Sequence, residues 1–509
     1  MKFRLAAGVL ALGSISVPSS SQPVPAAPPP TAATPPITAD LKLAARLRAT
    51  EAWIETQLAA ENIPGASMAI VHDQQLLWAR GFGFANTDKR VRATPQTRYS
   101  ICSVSKLFTS MAAMRERDLR RLDIDRPIGD YVRWYNVRDV ATPDGPVTAR
   151  GIMSHVAELP RESDISYWSE ASFPDLAAVK ARLGQQQNLY RAYDTLQYSN
   201  LGMALLGEAV AATSRQDYHD YVQANFLRPL GMSRTTSELP VQLRGGEFAI
   251  GYAARRKGWS RAPIPSYTLN AIAPAAGFAS TVEDLGKFAS WQFRLLASGG
   301  EILLKSSILR EMHRVHWMTP DDPSQTWGLG FASYQHAGKT MVGHGGYCPG
   351  YRTSFMMRPK DKLAYIVMIN ADDGQPGRLA QELYDLTSAD IVRAAAAKPS
   401  TSPAPAPAPA AADAPPEPKV DLALFEGLYT TKRSAGDAYV APYGNELMVI
   451  DMFADKPAGD ITRLRHVSGS TFRRVLKDDS LGEDVRFELG KDGRPARLWW
   501  HSNYAERRS

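Results

Sequence analysis

Tyr99 to Ser110 reads YSICSVSKLFTS, and within it Ser103 and Lys106 form the one Ser-x-x-Lys of the 509-residue chain. On a helix, residues three apart project from the same face, so this spacing sets the lysine amine beside the serine hydroxyl, where it can help remove the proton. A serine in the first turn also lies near unpaired backbone donors and the positive end of the helix dipole, which favour the negative charge that develops during attack. For Lys106 to act as a base, burial and neighbouring positive charge must lower its pKa.

Two further stretches carry residue types that fit such a serine. Tyr198, Ser199 and Asn200 stand immediately before the helical run that begins at Leu201. There a phenol can serve as acid and base, and an amide can orient a substrate carbonyl or the lysine. Val342 to Tyr351 reads VGHGGYCPGY, with His344, Gly345 and Gly346 ahead of a β-rich run, and glycines there let a substrate approach the backbone closely. Taken singly, each stretch has an ordinary explanation: a solvated lysine, a buried tyrosine beside an asparagine cap, a hairpin turn that happens to carry a histidine.

In combination, Ser-x-x-Lys, Tyr-x-Asn and His-Gly-Gly, in that order and widely spaced, resemble the triple motif of serine β-lactamases, D-alanyl-D-alanine peptidases and related esterases. Further blocks resemble this family: Leu122 to Ile128 (LDIDRPI), Thr148 to Pro160 (TARGIMSHVAELP), Tyr198 to Glu208 (YSNLGMALLGE), Pro229 to Met232 (PLGM) and Ala275 to Phe288 (AAGFASTVEDLGKF). The resemblance implies an α+β fold, an antiparallel sheet with a helical subdomain, working without metal or cofactor. It implies Ser103 as nucleophile, Lys106 as its partner in proton transfer and Tyr198 as the second acid/base group, with either of the latter two as the base. Asn200, His344, Gly345 and Gly346 would hold substrate, and the backbone amides of Ser103 and Tyr347 would form the oxyanion hole. No counterpart of the glutamate that activates the deacylating water in class A β-lactamases is visible, so the class C-like branch is the closer match.

Two departures bear on specificity. His344 and Gly345 stand where many relatives have Lys-Thr-Gly, offering a titrating ring and no hydroxyl, which weakens the grip on a β-lactam carboxylate. His155, Val156, Ala157, Glu158 and Leu159 replace the His-Thr-Ser-Gly-Leu of relatives, and His155 is expected to support the fold. The leading expectation is therefore hydrolysis of an ester or of an amide, such as a peptide with D-residues. The alternatives are β-lactam hydrolysis and a non-catalytic penicillin-binding-like sensor or scaffold.

Outward from these motifs the chain divides. Lys2 and Arg4 flank an apolar stretch from Leu5 to Val17, too short to span a bilayer, so residues 1–22 are expected to be an export signal and the protein periplasmic or secreted, with no stable membrane insertion after cleavage. Pro/Ala-rich linkers are expected over 23–38 and 394–418, the second a semi-rigid spacer. Between them, residues 39–393 form the large domain. A helix is expected over 40–61, hairpins at 66–83 and 351–370, and helices over 201–212, 218–226 and 282–296 between the hairpins. Residues 419–509 alternate in short runs that fit a small all-β barrel or sandwich, resembling the lipocalin-like barrels appended to some relatives, which cover or shape the substrate cleft.

A composition 44% hydrophobic and 22% charged is that of a packed protein, and a net charge of +7 without a clustered basic stripe excludes a nucleic-acid groove. The expected partner is a small-molecule or peptide substrate. His313 and His316 share a helical face but lack a third ligand, so no metal is expected. Cys102 and Cys348 are too few for a disulfide framework and are expected as two buried thiols, with a single bridge as the alternative.

Overall fold

The computed structural model describes residues 37–138, 145–163, 165, 168, 171–188, 193–256, 261–320, 322–397, 420–431, 437–454, 456–476, 478–500 and 503–508. The expected export signal and most of both Pro/Ala-rich linkers lie outside these residues.

The two expected hairpins form and meet. Gly65–His72 pairs with Gln75–Asn86 across a turn in which Asp73 takes φ +52°, and Tyr351–Arg358 pairs with Leu363–Ile369 across a short 3₁₀ turn at Pro359–Asp361. Gly65–His72 then lies antiparallel to Leu363–Ile369, so the two ends of the domain close one nine-stranded sheet. Lys339–Cys348, which carries the His-Gly-Gly sequence, pairs with Tyr351–Arg358. Alternation along the central strands sends successive side chains to opposite faces. Met68, Ile70, Tyr365 and Val367 enter one core, while Ala69, Val71, Ala364 and Ile366 enter the other.

The second of these cores holds the helical subdomain, including Ser105–Asp118, Asn200–Ser214 and Val282–Ser298. Thr281 caps the last of these by accepting from the Asp284 amide at 3.1 Å. The segment expected as one helix over 218–226 is α-helical only over Tyr218–Val222 and continues as a π turn over Gln223–Leu227. The first core is covered by the helices Leu41–Ala60 and Pro376–Ala396. Asp40 opens Leu41–Ala60, its carboxylate accepting from the Leu43 amide at 2.8 Å.

Eight consecutive strands from Gly427–Thr430 to Asn503–Arg507 form a closed antiparallel barrel, sealed where the first pairs with the last. Phe425, Phe472, Phe487, Leu447 and Leu498 fill its interior. Its outer face docks through Ala441, Met448, Ile450 and Met452 onto Leu41–Ala60 and Pro376–Ala396. At about 2 kcal/mol for each fully buried Met or Ile, this contact outweighs the half-exposed Arg48–Glu426 ion pair, a kind worth at most about 1 kcal/mol. Buried polar groups fix the register: Arg46 pairs with Asp390 at 3.1 Å, and the Tyr443 hydroxyl of the barrel donates to the same carboxylate at 2.7 Å. The barrel sits over the helices covering the other face of the sheet, and no described barrel residue lines the cleft.

Candidate active site

Ser103 lies in a 3₁₀ turn, Cys102–Val104, that runs directly into the helix Ser105–Asp118. The turn is held from below. Ser105 Oγ donates to the Cys102 carbonyl at 2.5 Å and accepts from the Phe278 amide at 3.0 Å, while the Ile101 amide donates to the Phe278 carbonyl at 2.9 Å. The block AAGFAS thus serves as the bed of the serine turn.

One turn on, Lys106 is fully buried. Its Nζ reaches Ser103 Oγ at 3.1 Å, Asn200 Oδ1 at 2.7 Å and the Ala275 carbonyl at 2.9 Å. Burial drives its pKa well below the ordinary lysine range, Glu162 opposes that fall, and Arg161 adds to it. A neutral amine has two hydrogens and one lone pair. Two carbonyl-type acceptors take the hydrogens, which leaves the lone pair for the serine hydroxyl.

Asn200, in the first turn of Asn200–Ser214, has both ends of its amide engaged: Oδ1 accepts from Lys106, and Nδ2 donates to Glu162 Oε1 at 2.6 Å. Its amide thus orients the lysine, the second of the two roles its residue type allows, while the residue also lines the cleft. Glu162 escaped the sequence reading because the only local signal is its place two residues after the Thr148–Pro160 block.

Tyr198 is partly buried, with Lys106 Nζ 4.7 Å and the Arg161 guanidinium 5.0 Å from its ring centre. Burial raises its phenol well above the ordinary value, opposed by a hydrogen bond with Ser103. His155 lies tilted against this ring at 4.2 Å between centres and meets Trp327 edge-on at 4.7 Å, and its Nδ1 accepts from the Ser199 amide at 3.4 Å. It therefore supports Tyr198 from behind. Trp327, 5.5 Å from His344 between ring centres, had no signal in its local sequence.

His344 is 7% exposed, and its Nδ1 lies 2.5 Å from the Gly345 carbonyl. A carbonyl only accepts, so Nδ1 carries the proton, and Nε2 keeps a buried lone pair with no protein partner. Burial, with Lys106 as a lesser cause, lowers its pKa to about 3, so the ring expected to titrate is neutral at ordinary pH. It offers an acceptor where a lysine would offer a cation.

Gly346 has a structural purpose beyond substrate approach: a side chain there would run into the Ile101 carbonyl, so the glycine lets the strand press against the serine turn. Gly345 is open, the nearest atom to an added Cβ being the Thr353 carbonyl oxygen at 3.9 Å. The same close packing corrects the expectation for the cysteines. Cys102 and Cys348, 246 residues apart, are joined in a disulfide with Cα atoms 5.5 Å apart, and no described cysteine is free. The bridge ties the residue before Ser103 to the residue after Tyr347, which flank the two expected oxyanion amides.

Ser103, Tyr198, Asn200, His344, Gly345, Gly346 and Tyr347 all line one cleft of about 660 Å³, and Arg161, Trp168, Arg352 and the start of Pro376–Ala396 complete its wall. Lys106 lies beneath its floor. His313 and His316 lie apart, bonded to Gln292 Oε1 and the Glu311 carbonyl, both at 3.0 Å, and the described residues hold no cluster of three metal-ligating side chains.

Comparisons with known proteins bear on the family and the fold. The family model described as Beta-lactamase matches residues 50–389. Protein flp of Staphylococcus aureus strain MW2 is 23% identical over 337 residues, 65% of this chain, and the match spans 64% of that protein's length. Among solved structures, the octameric penicillin-binding protein homologue from Pyrococcus abyssi is 20% identical with TM-score 0.61, covering 91% of this chain and 98% of its own. A class C β-lactamase from Rhodobacter sphaeroides gives TM-score 0.54 at 18% identity, covering 69% of this chain and 100% of its own. A D-stereospecific amidohydrolase from Streptomyces sp. gives 0.54 at 20%, covering 67% and 97%. With its fold, its cleft and a family match over two thirds of its length, the chain belongs to the β-lactamase family.

Proposed function

We propose that the protein is an exported serine hydrolase that cleaves an ester, or an amide such as a D-residue peptide, through an acyl-enzyme on Ser103, acting in the periplasm or outside the cell. The observation that carries the reading is the 3.1 Å approach of Ser103 Oγ to the buried amine of Lys106. Of the two candidate bases, burial makes Lys106 easier to deprotonate and Tyr198 harder, so Lys106 takes the serine proton and Tyr198 acts as the acid.

Ser103 Oγ attacks the carbonyl as its proton passes to Lys106, and the oxyanion gathers on the amides of Ser103 and Tyr347. Tyr198 gives its proton to the departing oxygen or nitrogen and regains one from the Lys106 ammonium. Water then attacks the acyl group and loses a proton to the neutral amine. Ser103 Oγ departs with that proton, leaving the acid product. The neutral ring of His344 favours this reading over β-lactam hydrolysis, since it presents no cation to a substrate carboxylate.

Intact mass after exposure to a fluorophosphonate and, separately, to a penicillin tests this. A fluorophosphonate adduct on the wild type that Ser103→Ala lacks, with penicillin left unconsumed, is the expected result. Rapid penicillin turnover would favour the β-lactamase, and no adduct on folded wild type would leave a binding role.

A further inference from the structure

We propose that Glu162 is a positioning residue that holds Lys106 through the Asn200 amide and sets the pH range over which Ser103 is activated. The inference rests on the reading of Lys106 as the base.

The geometry is a three-member chain. Glu162 Oε1 accepts from Asn200 Nδ2 at 2.6 Å, and Asn200 Oδ1 accepts from Lys106 Nζ at 2.7 Å. The carboxylate fixes which end of the amide faces the lysine, because it can only accept. Without it the amide can turn and present its NH₂ group to the amine. The loop that carries Glu162 is itself knitted to the tyrosine motif: the Arg161 carbonyl accepts from the amides of Asn200 and Leu201 at 2.8 and 3.2 Å, and Ser199 Oγ donates to the Pro160 carbonyl at 2.7 Å.

The charges facing Lys106 are few. Glu162 favours the ammonium, and Arg161, itself 3.5 Å from Glu162, disfavours it. Tyr198 presents a neutral phenol, and His155 and His344 are held neutral by burial. Asn200, Ala275 and Ser103 contribute only dipoles. Among the described residues Glu162 is the anion that acts on the base, and it keeps Lys106 from falling so low in pKa that it becomes a poor proton acceptor.

The sign follows. Ser103 is activated when Lys106 is neutral, so the rate rises through the lysine pKa. Removing the negative charge favours the neutral amine and moves this acidic limb to lower pH. An opposite charge at close range is worth about one unit or more, so Glu162→Gln should label about tenfold faster on the acidic limb, relative to its own plateau, than the wild type does. Glutamine keeps an oxygen for Asn200 Nδ2 but can also donate, so it holds the amide less firmly and its plateau should fall by less than that of Glu162→Ala. Glu162→Ala loses that acceptor as well, and its plateau should fall.

The experiment is the rate of fluorophosphonate labelling of the full chain from about pH 5 to about pH 9, for wild type, both Glu162 variants and Arg161→Gln. Arg161 is largely exposed, so its variant should fold even if the others do not, and its limb should move to higher pH. A Glu162→Gln profile that superimposes on the wild type or moves to higher pH overturns the proposal. If that variant does not fold, an Arg161→Gln limb that stays in place or moves to lower pH overturns it. A wild type that never labels defeats the acyl-enzyme reading first, an outcome distinct from matching profiles.

Discussion

Breaking the Cys102–Cys348 bridge should both destabilise the protein and slow the serine. The cysteines are 246 residues apart in sequence, so opening the bridge releases a loop that takes in most of the large domain. The chain-entropy relation assigns such a loop about 5.5 kcal/mol at 25 °C, a ceiling because native relaxation and residual structure in the unfolded chain reduce it. Both sulfurs are buried, so Cys→Ala adds small cavities, whereas comparing oxidised with reduced wild type changes the bridge alone. Cys102 precedes Ser103 and Cys348 follows Tyr347, so loss of the tie should also loosen the oxyanion amides. A misplacement of about 1 Å there can cost about a hundredfold. The assays are denaturant unfolding of the oxidised, reduced and Cys102→Ala/Cys348→Ala proteins, and fluorophosphonate labelling of each in the absence of denaturant. Two titratable thiols per unfolded, unreduced chain would refute the pairing. Equal unfolding midpoints and equal labelling rates with and without the bridge would refute its role.

Other outcomes follow from the site. Tyr198→Phe should lower turnover by about 10² to 10⁴-fold on an amide, which needs its leaving nitrogen protonated, and much less on an activated ester; steady-state kinetics on matched substrates checks this. Gly346→Ala should drive the strand off the Ile101 carbonyl and abolish most labelling, while Gly345→Ala, with open space around it, should keep near-native stability; labelling rates and thermal melts separate them. Stability should fall on acidification from about pH 6.5 towards pH 3, because His313 and His344 stay neutral in the fold down to about 3 while the unfolded imidazoles take protons from 6.5 downward. Each such group contributes up to about 1.4 kcal/mol per pH unit, so His344→Gln should flatten the decline by about that slope in unfolding experiments at stepped pH.

How much of this was legible in the chain depends on the range of the interaction. The two hairpins are local, written in alternation and turn residues, and they appear where the sequence puts them. The site residues were legible by type and order: Ser103 and Lys106 are one turn apart, and a helix alone brings them together. What joins Lys106 to Asn200, 94 residues on, is the packing of two helices, and no spacing rule states it. The same limit explains the misread cysteines. Composition counted two thiols, while the bridge follows from Gly346 letting a strand press against a turn that lies far from it in sequence. The small domain was legible as an all-β barrel or sandwich because its strands alternate, but neither its closure nor its docking surface was. Ala441, Met448 and Ile450 belong to strands whose alternation says only that one face is apolar inside and another apolar outside, and Met452 lies in the turn that follows. Which outer face finds a partner depends on the helices Leu41–Ala60 and Pro376–Ala396, and the latter begins at the cleft wall and ends beneath the barrel. A substitution at Asp390, which binds both Arg46 and Tyr443, therefore acts on a helix shared by the two regions, though no described cleft residue is among its bonding partners.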